Sequence, residues 1–275
     1  MRSENHMIKT MQETISSSTG RRSAILQLLK QNSNIAVTEL SRKFGVSEVT
    51  IRKDLNLLKD RNLLVRTRGG AILHETRKDD NDTSIRFKKL ANFREKKAIG
   101  RAAANLIKEG DTIIIDSGTT ALQVACNLHK FKNLTIITNA LNVAQEVLAY
   151  KRFNVILLGG NIRNASESVV GALAESNLKM FYCDKLFLGV DSFSVENGLS
   201  TPNVEEANIN QLMISRSKEV IAVFDSSKVN KRALAFIATI DKIDKIVTDD
   251  GMDKATRSHL KAMDVDVITV KADPA

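Results

Sequence analysis

Polar residues that could bind an anion follow the first long apolar run in the C-terminal part of the sequence. The run TIIID at 112–116 leads into Ser117-Gly118-Thr119-Thr120 and then into a predicted helix. The start of a helix offers unpaired backbone N–H groups and the positive end of its dipole, so this segment suits a phosphate. Ser and Thr also cap helices for purely structural reasons. The segment alone therefore leaves a ligand site and a simple helix start open.

Further polar residues stand at the ends of the other predicted strands. In an open parallel sheet, ligands bind beyond the carboxyl ends of the strands, so these residues are expected to converge. Each also has a structural reading, because amides cap helices, paired glycines turn the chain and surface charges pair locally. Together, anion donors with carboxylates and amides for hydroxyls fit a sugar phosphate. The predicted ligand residues are Asp116, Ser117, Gly118, Thr119, Thr120, Thr138, Asn139, Gly160, Arg163, Asp191, Thr201, Glu206 and Lys228.

These residues carry no recognisable catalytic arrangement. The sequence has no nucleophile–base signature and no glycine-rich nucleotide fingerprint, and its four histidines show no metal-ligand spacing. We therefore expect a binding protein without catalytic residues, metal or cofactor. Asp191, Glu206 and Lys228 could shuttle protons on a sugar, which keeps a sugar-phosphate isomerase with an appended nucleic-acid module as the alternative.

A second group of residues whose side chains could bind a partner lies in the segment 35–72, IAVTELSRKFGVSEVTIRKDLNLLKDRNLLVRTRGGAI. Its pattern predicts a helix that starts at Thr38 as a capping residue, a glycine turn, and a second helix capped by Ser47. The arginines and paired glycines that follow predict a β-hairpin, or wing. The whole segment is typical of a winged helix-turn-helix. The predicted core face of the second helix is Ile51, Leu55 and Leu58.

The outward residues of this module have groups that contact DNA. Hydroxyl, amide and basic side chains read base edges in the major groove, and arginines suit phosphates or the minor groove. From residue 20 to 75, eleven Lys or Arg stand against five Asp or Glu, so this segment carries +6 of the net +9. Two amphipathic helices also occur in proteins that never touch DNA, but the charge favours a phosphate backbone as the partner. An RNA-associated interaction protein that uses the same basic module stays an alternative. The predicted DNA-contacting residues are Thr38, Ser47, Glu48, Val49, Thr50, Arg52, Lys53, Asn56, Arg66 and Arg68.

Alternating apolar runs and amphipathic segments must hold the ligand residues in place. Val/Ile/Leu runs separated by helical patterns predict a doubly wound α/β domain with a parallel sheet. A long helix from about residue 85 to 108, with a C-cap at Gly110, is expected to precede the first strand. The predicted runs lie at 112–116, 134–138, 153–159, 185–191, 219–225, 245–250 and 265–270. The predicted organisation is a flexible tail at 1–19, a winged helix-turn-helix at 20–73, a charged linker at 74–84 and an α/β ligand-binding domain at 85–275.

Length and composition bound the class of protein. With 275 residues and 43% hydrophobic content, the chain can bury a substantial core. No run is long enough for a membrane span, and the polar N-terminal residues lack the apolar stretch of a secretion signal. Cys126 and Cys183 lie in apolar stretches and suit free thiols. These features predict a cytoplasmic protein that does not bind a membrane.

Several motifs in this order resemble the DeoR family of bacterial transcription regulators. They are VSEVTIRKDL with RGGAI, then DSGTT, TN, LLGGNIR, FLGVD, GLST…EEA and DSSK, and the resemblance covers residues from about 20 to 250. The family pairs a DNA-binding head with a sugar-phosphate sensor whose fold is similar to ribose-5-phosphate isomerase and the CoA transferases. The resemblance implies that Asp116 to Thr120 hold a phosphate. It also implies a sugar site lined by Thr138-Asn139, Gly160, Asp191, Glu206 and Lys228, together with Arg163.

This resemblance implies a repressor of a carbohydrate-use operon that leaves double-stranded operator DNA when a sugar phosphate fills the C-terminal pocket. The stretch FLGVDSF…GLSTPNVEEANIN is similar to regulators of N-acetylgalactosamine use, which implies an amino-sugar phosphate effector. Two-fold repressors meet palindromic half-sites, so a homodimer or homotetramer is expected. The recognition helix carries Glu48, Val49 and Lys53 where many relatives have other residues, so the operator sequence does not transfer from the family.

Overall fold

Two units make up the chain in this computed structural model, an N-terminal one and a larger C-terminal one from residue 92 onward. The structure describes residues 18–31, 34–60, 63–67, 69–73, 85–89 and 91–272. The predicted linker at 74–84, most of the predicted tail and Arg68 lie outside these residues. Within the described part of the chain, no helix is both long and apolar enough to span a bilayer.

The N-terminal unit is a small helical body closed by a three-stranded antiparallel sheet. Its sheet has the order β1-β3-β2, so β2 and β3 form the predicted hairpin. Its core contains Leu40, Ile51, Leu55 and Leu58, each fully buried, as the helical spacing predicted. The elements are α1 (Ser18–Gln31), β1 (Asn34–Ala36), α2 (Val37–Phe44), α3 (Glu48–Asp60), β2 (Leu64–Thr67) and β3 (Gly70–Leu73).

The prediction that Thr38 caps the first helix of the motif is wrong. Helix α2 begins at Val37, and Ala36 at its N-cap makes no side-chain hydrogen bond. Ala36 pairs with Gly70 across β1 and β3, and the Val37 N–H donates to the Gly69 carbonyl at 2.7 Å. Because the wing turn accepts this first helical N–H, no hydroxyl cap is required there.

The C-terminal unit is built on a seven-stranded parallel sheet whose strands coincide with the seven predicted apolar runs. Its order is β15-β14-β12-β9-β4-β5-β6, and every neighbouring pair is parallel. The strands are β4 (Thr112–Ile115), β5 (Thr135–Thr138), β6 (Asn154–Leu157), β9 (Cys183–Gly189), β12 (Ser217–Val223), β14 (Lys245–Asp249) and β15 (Asp266–Val270). The helices between them are α6 (Thr119–Ala125), α7 (Leu141–Leu148), α8 (Ala172–Leu178), α9 (Val204–Ser215) and α10 (Lys254–Ala262).

The single long helix predicted before the first strand is wrong. The chain instead forms α4 (Ile85–Lys88) and α5 (Phe93–Ala104). Asn92 takes a left-handed conformation at the start of α5, with φ 50° and ψ 39°. Helix α5 ends at Ala104, and the predicted C-cap Gly110 lies in a later turn with φ +85°. Asn92 also donates through Nδ2 to Asp225 at 2.7 Å, a contact between distant residues that helical spacing does not predict.

Two small antiparallel sheets were not predicted from the sequence. One is the hairpin of β7 (Asn161–Arg163) and β8 (Ser168–Val170), and the other joins β10 (Ser192–Ser194), β11 (Gly198–Thr201) and β13 (Ala235–Ala238). Most of these strands have three residues, which is too short for a clear alternation of apolar and polar side chains. They carry two of the predicted ligand residues, Arg163 and Thr201.

The order of the parallel sheet creates a crevice beside its central strand. From β4 the chain adds β5 and β6 on one side, and then returns to the other side of β4 as β9. This reversal is a topological switch point, where the loops after two neighbouring strands diverge and leave room for a ligand. The loop after β4 begins at Asp116 and the loop after β9 contains Asp191, so both border this crevice.

Candidate functional site

Helix α3 presents a polar face in its first two turns. The Ser47 hydroxyl accepts a hydrogen bond from the Thr50 N–H at 3.2 Å, so Ser47 caps this helix as predicted. Val49 is 62% exposed, and Arg52, Lys53 and Asn56 are also exposed. Glu48 and Arg52 form an exposed ion pair of 2.9 Å. This face has the basic and amide groups that contact DNA phosphates and base edges.

The wing lies beside this face. Arg66 on β2 donates to the Asn56 Oδ1 of α3 at 2.8 Å and to the Gly70 carbonyl of β3 at 3.2 Å. Gly70 allows the close approach of β1, because a Cβ there would lie 2.3 Å from the Ile35 carbonyl oxygen. Thr38 is exposed on α2. The structure therefore joins the wing to the exposed polar face of α3.

A buried ion pair that was not predicted lies on the opposite side of α3. Arg21 on α1 donates through Nε to the Asp54 carboxylate at 2.6 Å, and their side chains are 7% and 6% exposed. Arg22 lies 3.9 Å from the same carboxylate. The sequence signal was available, since Asp54 falls next to Leu55 on the core face of the helix, where an acidic residue requires a partner.

In the C-terminal unit, Asp116 is the central buried group of the crevice. It is 3% exposed, and its Oδ2 accepts the Gly189 N–H of β9 at 3.1 Å. Its Oδ1 is buried without a hydrogen-bond partner. Burial raises the pKa of Asp116 from 3.8 to about 7, opposed by the backbone N–H of Ser117 and reinforced by the Glu206 carboxylate. Asp116 is therefore a buried carboxyl group with one unsatisfied oxygen, and it titrates near neutrality.

The segment after Asp116 passes directly into α6, as predicted. Gly118 precedes the helix with φ +108°, a backbone conformation that favours glycine. Thr119 and Thr120 are buried in the first turn, whereas Ser117 and Gly118 are half-buried. The first N–H groups of α6 point toward the crevice end of the helix because they have no carbonyl partner within it. This arrangement can hold an anion.

The end of β5 contributes two fully buried polar residues. Thr138 Oγ1 accepts the Ala140 N–H at 3.0 Å, which gives Thr138 a structural role in the turn. Asn139 donates through Nδ2 to the Val169 carbonyl at 3.3 Å, while its Oδ1 has no hydrogen-bond partner. Asn139 therefore provides a second unsatisfied acceptor at the end of β5, the neighbour of β4 in the sheet.

A chain of polar contacts joins the small sheets to α9. Thr201 on β11 donates its hydroxyl proton to one acceptor, and Asp191 Oδ2 and Glu206 Oε2 each lie 3.3 Å from its Oγ1. Arg163 on β7 lies 3.4 Å from Glu206 Oε1 and 3.1 Å from Ser166 Oγ. The structure thus brings together four predicted ligand residues that are up to 43 positions apart in sequence.

Gly160 and Lys228 occupy the margin of this region. Gly160 is exposed after β6, and a Cβ there would lie 2.9 Å from the Val170 carbonyl oxygen. Lys228 is half-buried in a short 3-10 helix, Ser226–Lys228, that follows β12. The next residue, Val229, bridges to Phe193 of β10. Both positions lie beyond the carboxyl ends of their strands, as predicted.

The structure adds residues that the sequence reasoning missed. Asn210 is 5% exposed, and its side-chain amide lies close enough to Asp116 to lower the pKa of that carboxyl group. It follows Glu206 by one helical turn, so the spacing on α9 could have identified it. Asp225, after β12, is 1% exposed and accepts from Asn92 Nδ2 at 2.7 Å, and Lys96 lies 4.0 Å from its other oxygen. No sequence pattern connects residues 92 and 225.

Comparison with protein families assigns each of the two units to a known domain family. The DeoR-like helix-turn-helix domain matches residues 21–77, and the DeoR C terminal sensor domain matches residues 91–250. The second match alone covers more than half of the chain. The basic module and the α/β unit therefore correspond to the two domains of one family.

Relatives match over nearly their whole length. A protein of Escherichia coli O157:H7 named "Putative aga operon transcriptional repressor" is 35% identical over 94% of this chain and 96% of its own. The regulator YulB of Bacillus subtilis is 37% identical over 91% and 96%. The glycerol-3-phosphate regulon repressor of Escherichia coli K12 is 33% identical over 84% and 90%.

Among solved structures, ribose 5-phosphate isomerase A from Neisseria gonorrhoeae is similar over 50% of this chain and 53% of its own, with 16% identity and a TM-score of 0.37. That similarity is too low to indicate a shared activity. The family matches and the full-length relatives agree with each other and with the two-unit architecture. The chain belongs to the DeoR family of transcriptional regulators.

Proposed function

We propose that this chain represses a carbohydrate-use operon by binding double-stranded operator DNA through α3 and the wing, and that a sugar phosphate in the C-terminal pocket releases it. Relatives named as repressors of the aga operon and of the glycerol-3-phosphate regulon support this assignment. The observation that carries the effector half concerns two of the buried oxygens that have no hydrogen-bond partner among the described residues. These are Asp116 Oδ1 and Asn139 Oδ1, which follow the neighbouring strands β4 and β5. Each such atom costs about 1–3 kcal/mol, which a ligand hydroxyl would recover.

The proposed ligand lies across the switch point with its phosphate at Ser117 to Thr120. The hydroxyls and the first N–H groups of α6 supply donors to the phosphate oxygens. Asp116 and Asn139 then accept from sugar hydroxyls. Asp191 and Glu206 add carboxylates that suit an ammonium or acetamido group, so we propose an amino-sugar phosphate as the effector.

The decisive test is a gel-shift titration of the full-length protein on promoter DNA from its own gene and from neighbouring sugar operons. The titration is repeated with galactosamine, N-acetylgalactosamine, tagatose and glucosamine phosphates. Release by one of these compounds would support the sensor assignment and identify the inducer. Tight, sequence-specific binding that none of them changes would contradict the proposed effector class.

Asn139→Ala separates ligand binding from DNA binding in the same assay. This variant should bind promoter DNA like the wild type but need about tenfold more sugar phosphate for release, because a hydrogen bond to the ligand is lost. Asn208→Ala is the matched control, since Asn208 is an exposed amide on α9. Equal inducer sensitivity in both variants would show that Asn139 does not contact the ligand.

A sugar-phosphate isomerase is the second candidate, and the raised pKa of Asp116 favours it. A carboxyl group that titrates near pH 7 suits general acid–base chemistry on a sugar. Nuclear magnetic resonance of the protein incubated with pentose and hexose phosphates would detect isomer formation. Turnover that Lys228→Ala abolishes would overturn the proposal of a sensor without catalysis.

A further inference from the structure

The guanidinium group of Arg66 is bonded within the N-terminal unit. Its Nη1 donates to Asn56 Oδ1 at 2.8 Å and reaches the Arg52 carbonyl of α3 at 3.4 Å. Its Nε donates to the Gly70 carbonyl of β3 at 3.2 Å. One side chain thus connects both strands of the wing to the second and third turns of the helix.

These contacts also orient Asn56. A guanidinium group only donates hydrogen bonds, so the atom of Asn56 that faces Arg66 must be Oδ1, and Nδ2 is on the other branch of the amide. Asn56 is exposed, on the same helix as exposed Arg52 and Lys53. With one acceptor position of Oδ1 occupied, its two N–H donors are the groups best placed to meet an acceptor on a base edge.

Helix α3 is held on its other side as well. The buried Arg21–Asp54 pair ties it to α1 at 2.6 Å, one residue from Leu55 in the core. Arg66 completes this support from the exposed side. Arg66 therefore ties α3 to the wing, and Arg21 ties the opposite side of the same helix to α1.

We propose that Arg66 is a positioning residue for operator recognition, which fixes the wing against α3 and sets the orientation of Asn56, and that it is not a phosphate contact. This inference rests on the proposed DNA-binding function. Phosphate contacts and positioning contacts are distinguishable, because each neutralised phosphate contributes about 0.9 to the slope of log affinity against log salt.

The test measures binding of the full-length protein by fluorescence anisotropy at roughly 50 to 200 mM salt. The probes are a duplex selected by the wild type from a random-sequence pool and a scrambled duplex of the same composition. Arg66→Met should lower the affinity ratio between these duplexes by about tenfold while leaving the salt slope unchanged. Lys53→Met is the matched control and should lower the slope by about 1, with the ratio nearly unchanged.

Arg66→Lys controls for a simple loss of charge, and circular dichroism of each variant on heating controls for a loss of folding. Lysine keeps the charge but lacks the planar fork that reaches three acceptors, so discrimination should stay low in this variant. A double-mutant cycle with Asn56→Ala adds a second readout. If Arg66 acts through Asn56, the double variant should discriminate no worse than Asn56→Ala alone.

Three results would count against the inference. A salt slope reduced by about 1 in Arg66→Met with unchanged discrimination would make Arg66 a phosphate contact. Full rescue of discrimination by Arg66→Lys would show that only charge matters. A wild type that binds the selected and scrambled duplexes equally would overturn the proposed DNA-reading function itself, and this inference with it.

Discussion

At the scale of single residues, Asp116 is the group whose chemistry depends most on the fold. The carboxyl group is buried at the switch point, next to Glu206, with one oxygen unsatisfied. Its proton affinity is therefore much higher in the folded state than in the unfolded chain. Such a group weakens the protein as it ionises, which is characteristic of sites arranged for a ligand.

Replacing Asp116 by Asn should flatten the pH dependence of stability of the C-terminal unit. Because the folded pKa of about 7 lies above the unfolded value of 3.8, the folded state retains a proton that the unfolded state has lost between these pH values. Wild-type stability should therefore fall as pH rises from about 4 to 7, by up to about 4 kcal/mol relative to Asp116→Asn. Urea unfolding followed by tyrosine fluorescence reports on this unit, since both tyrosines, Tyr150 and Tyr182, lie in it.

Asp250→Asn is the control for this experiment, because Asp250 is exposed after β14. Its pH profile should follow that of the wild type. Parallel profiles for Asp116→Asn and the wild type would show that Asp116 has an ordinary pKa in the folded protein.

At the scale of elements, α3 has one face that packs in the core and another face that is available for DNA recognition. Ile51, Leu55 and Leu58 are fully buried, and the basic and amide residues between them are exposed. Substitution of the exposed residues can therefore change which operator the helix recognises while its buried core stays the same. This independence explains why operator sequence does not follow from family membership.

Substitutions on the two faces of α3 should have different consequences. Leu55→Ala should destabilise the N-terminal unit by about 2–5 kcal/mol, because it leaves a cavity in a small core. Arg52→Ala and Lys53→Ala should keep the fold and weaken DNA binding. Circular dichroism on heating and a gel shift measure the two effects.

Leu57→Ala is the matched control on the same helix, because Leu57 is 40% exposed. Its destabilisation should be much smaller than that of Leu55→Ala. Equal folding defects in the Arg52, Lys53 and Leu55 variants would contradict the assignment of the two faces.

The end of β9 is the element that holds the Asp116 loop. Gly189 donates its N–H to Asp116, and a Cβ at this position would lie 2.6 Å from the Ser117 carbonyl oxygen. Gly189→Ala should therefore displace the proposed phosphate loop and weaken sugar-phosphate binding by tenfold or more, as measured by calorimetry. Gly159→Ala, where only the end of the Asn177 side chain is near, should bind normally. Normal binding by Gly189→Ala would place the ligand elsewhere.

At the scale of the whole molecule, charge and core are distributed differently between the units. Residues 20–75 carry +6 of the net +9, whereas the C-terminal unit contains the large core of the parallel sheet. The small unit thus has the charge that a polyanion attracts, and the large unit has the parallel sheet beyond whose strand ends a small ligand can bind.

The proposed repressor, if two-fold symmetric, should form an assembly of defined mass. Sedimentation equilibrium should give two or four times the chain mass of 30.4 kDa at concentrations that bind operator DNA. Paired half-sites one helical turn or its multiples apart should protect DNA in footprinting. A mass of one chain bound to DNA would contradict the proposed homodimer or homotetramer.

The sequence by itself indicated the family through its ordered motifs. It also determined the helix-turn-helix core and the seven strands of the parallel sheet, because these depend on local apolar spacing that burial enforces. It placed Asp116, Asn139 and Asp191 after the ends of these strands. Only the tertiary structure decided which oxygens remain unsatisfied, that Asn92 bonds to Asp225, and that Arg66 bonds to Asn56. These features depend on distance and burial between residues far apart in the chain, and hydrophobic periodicity carries no information about such pairs.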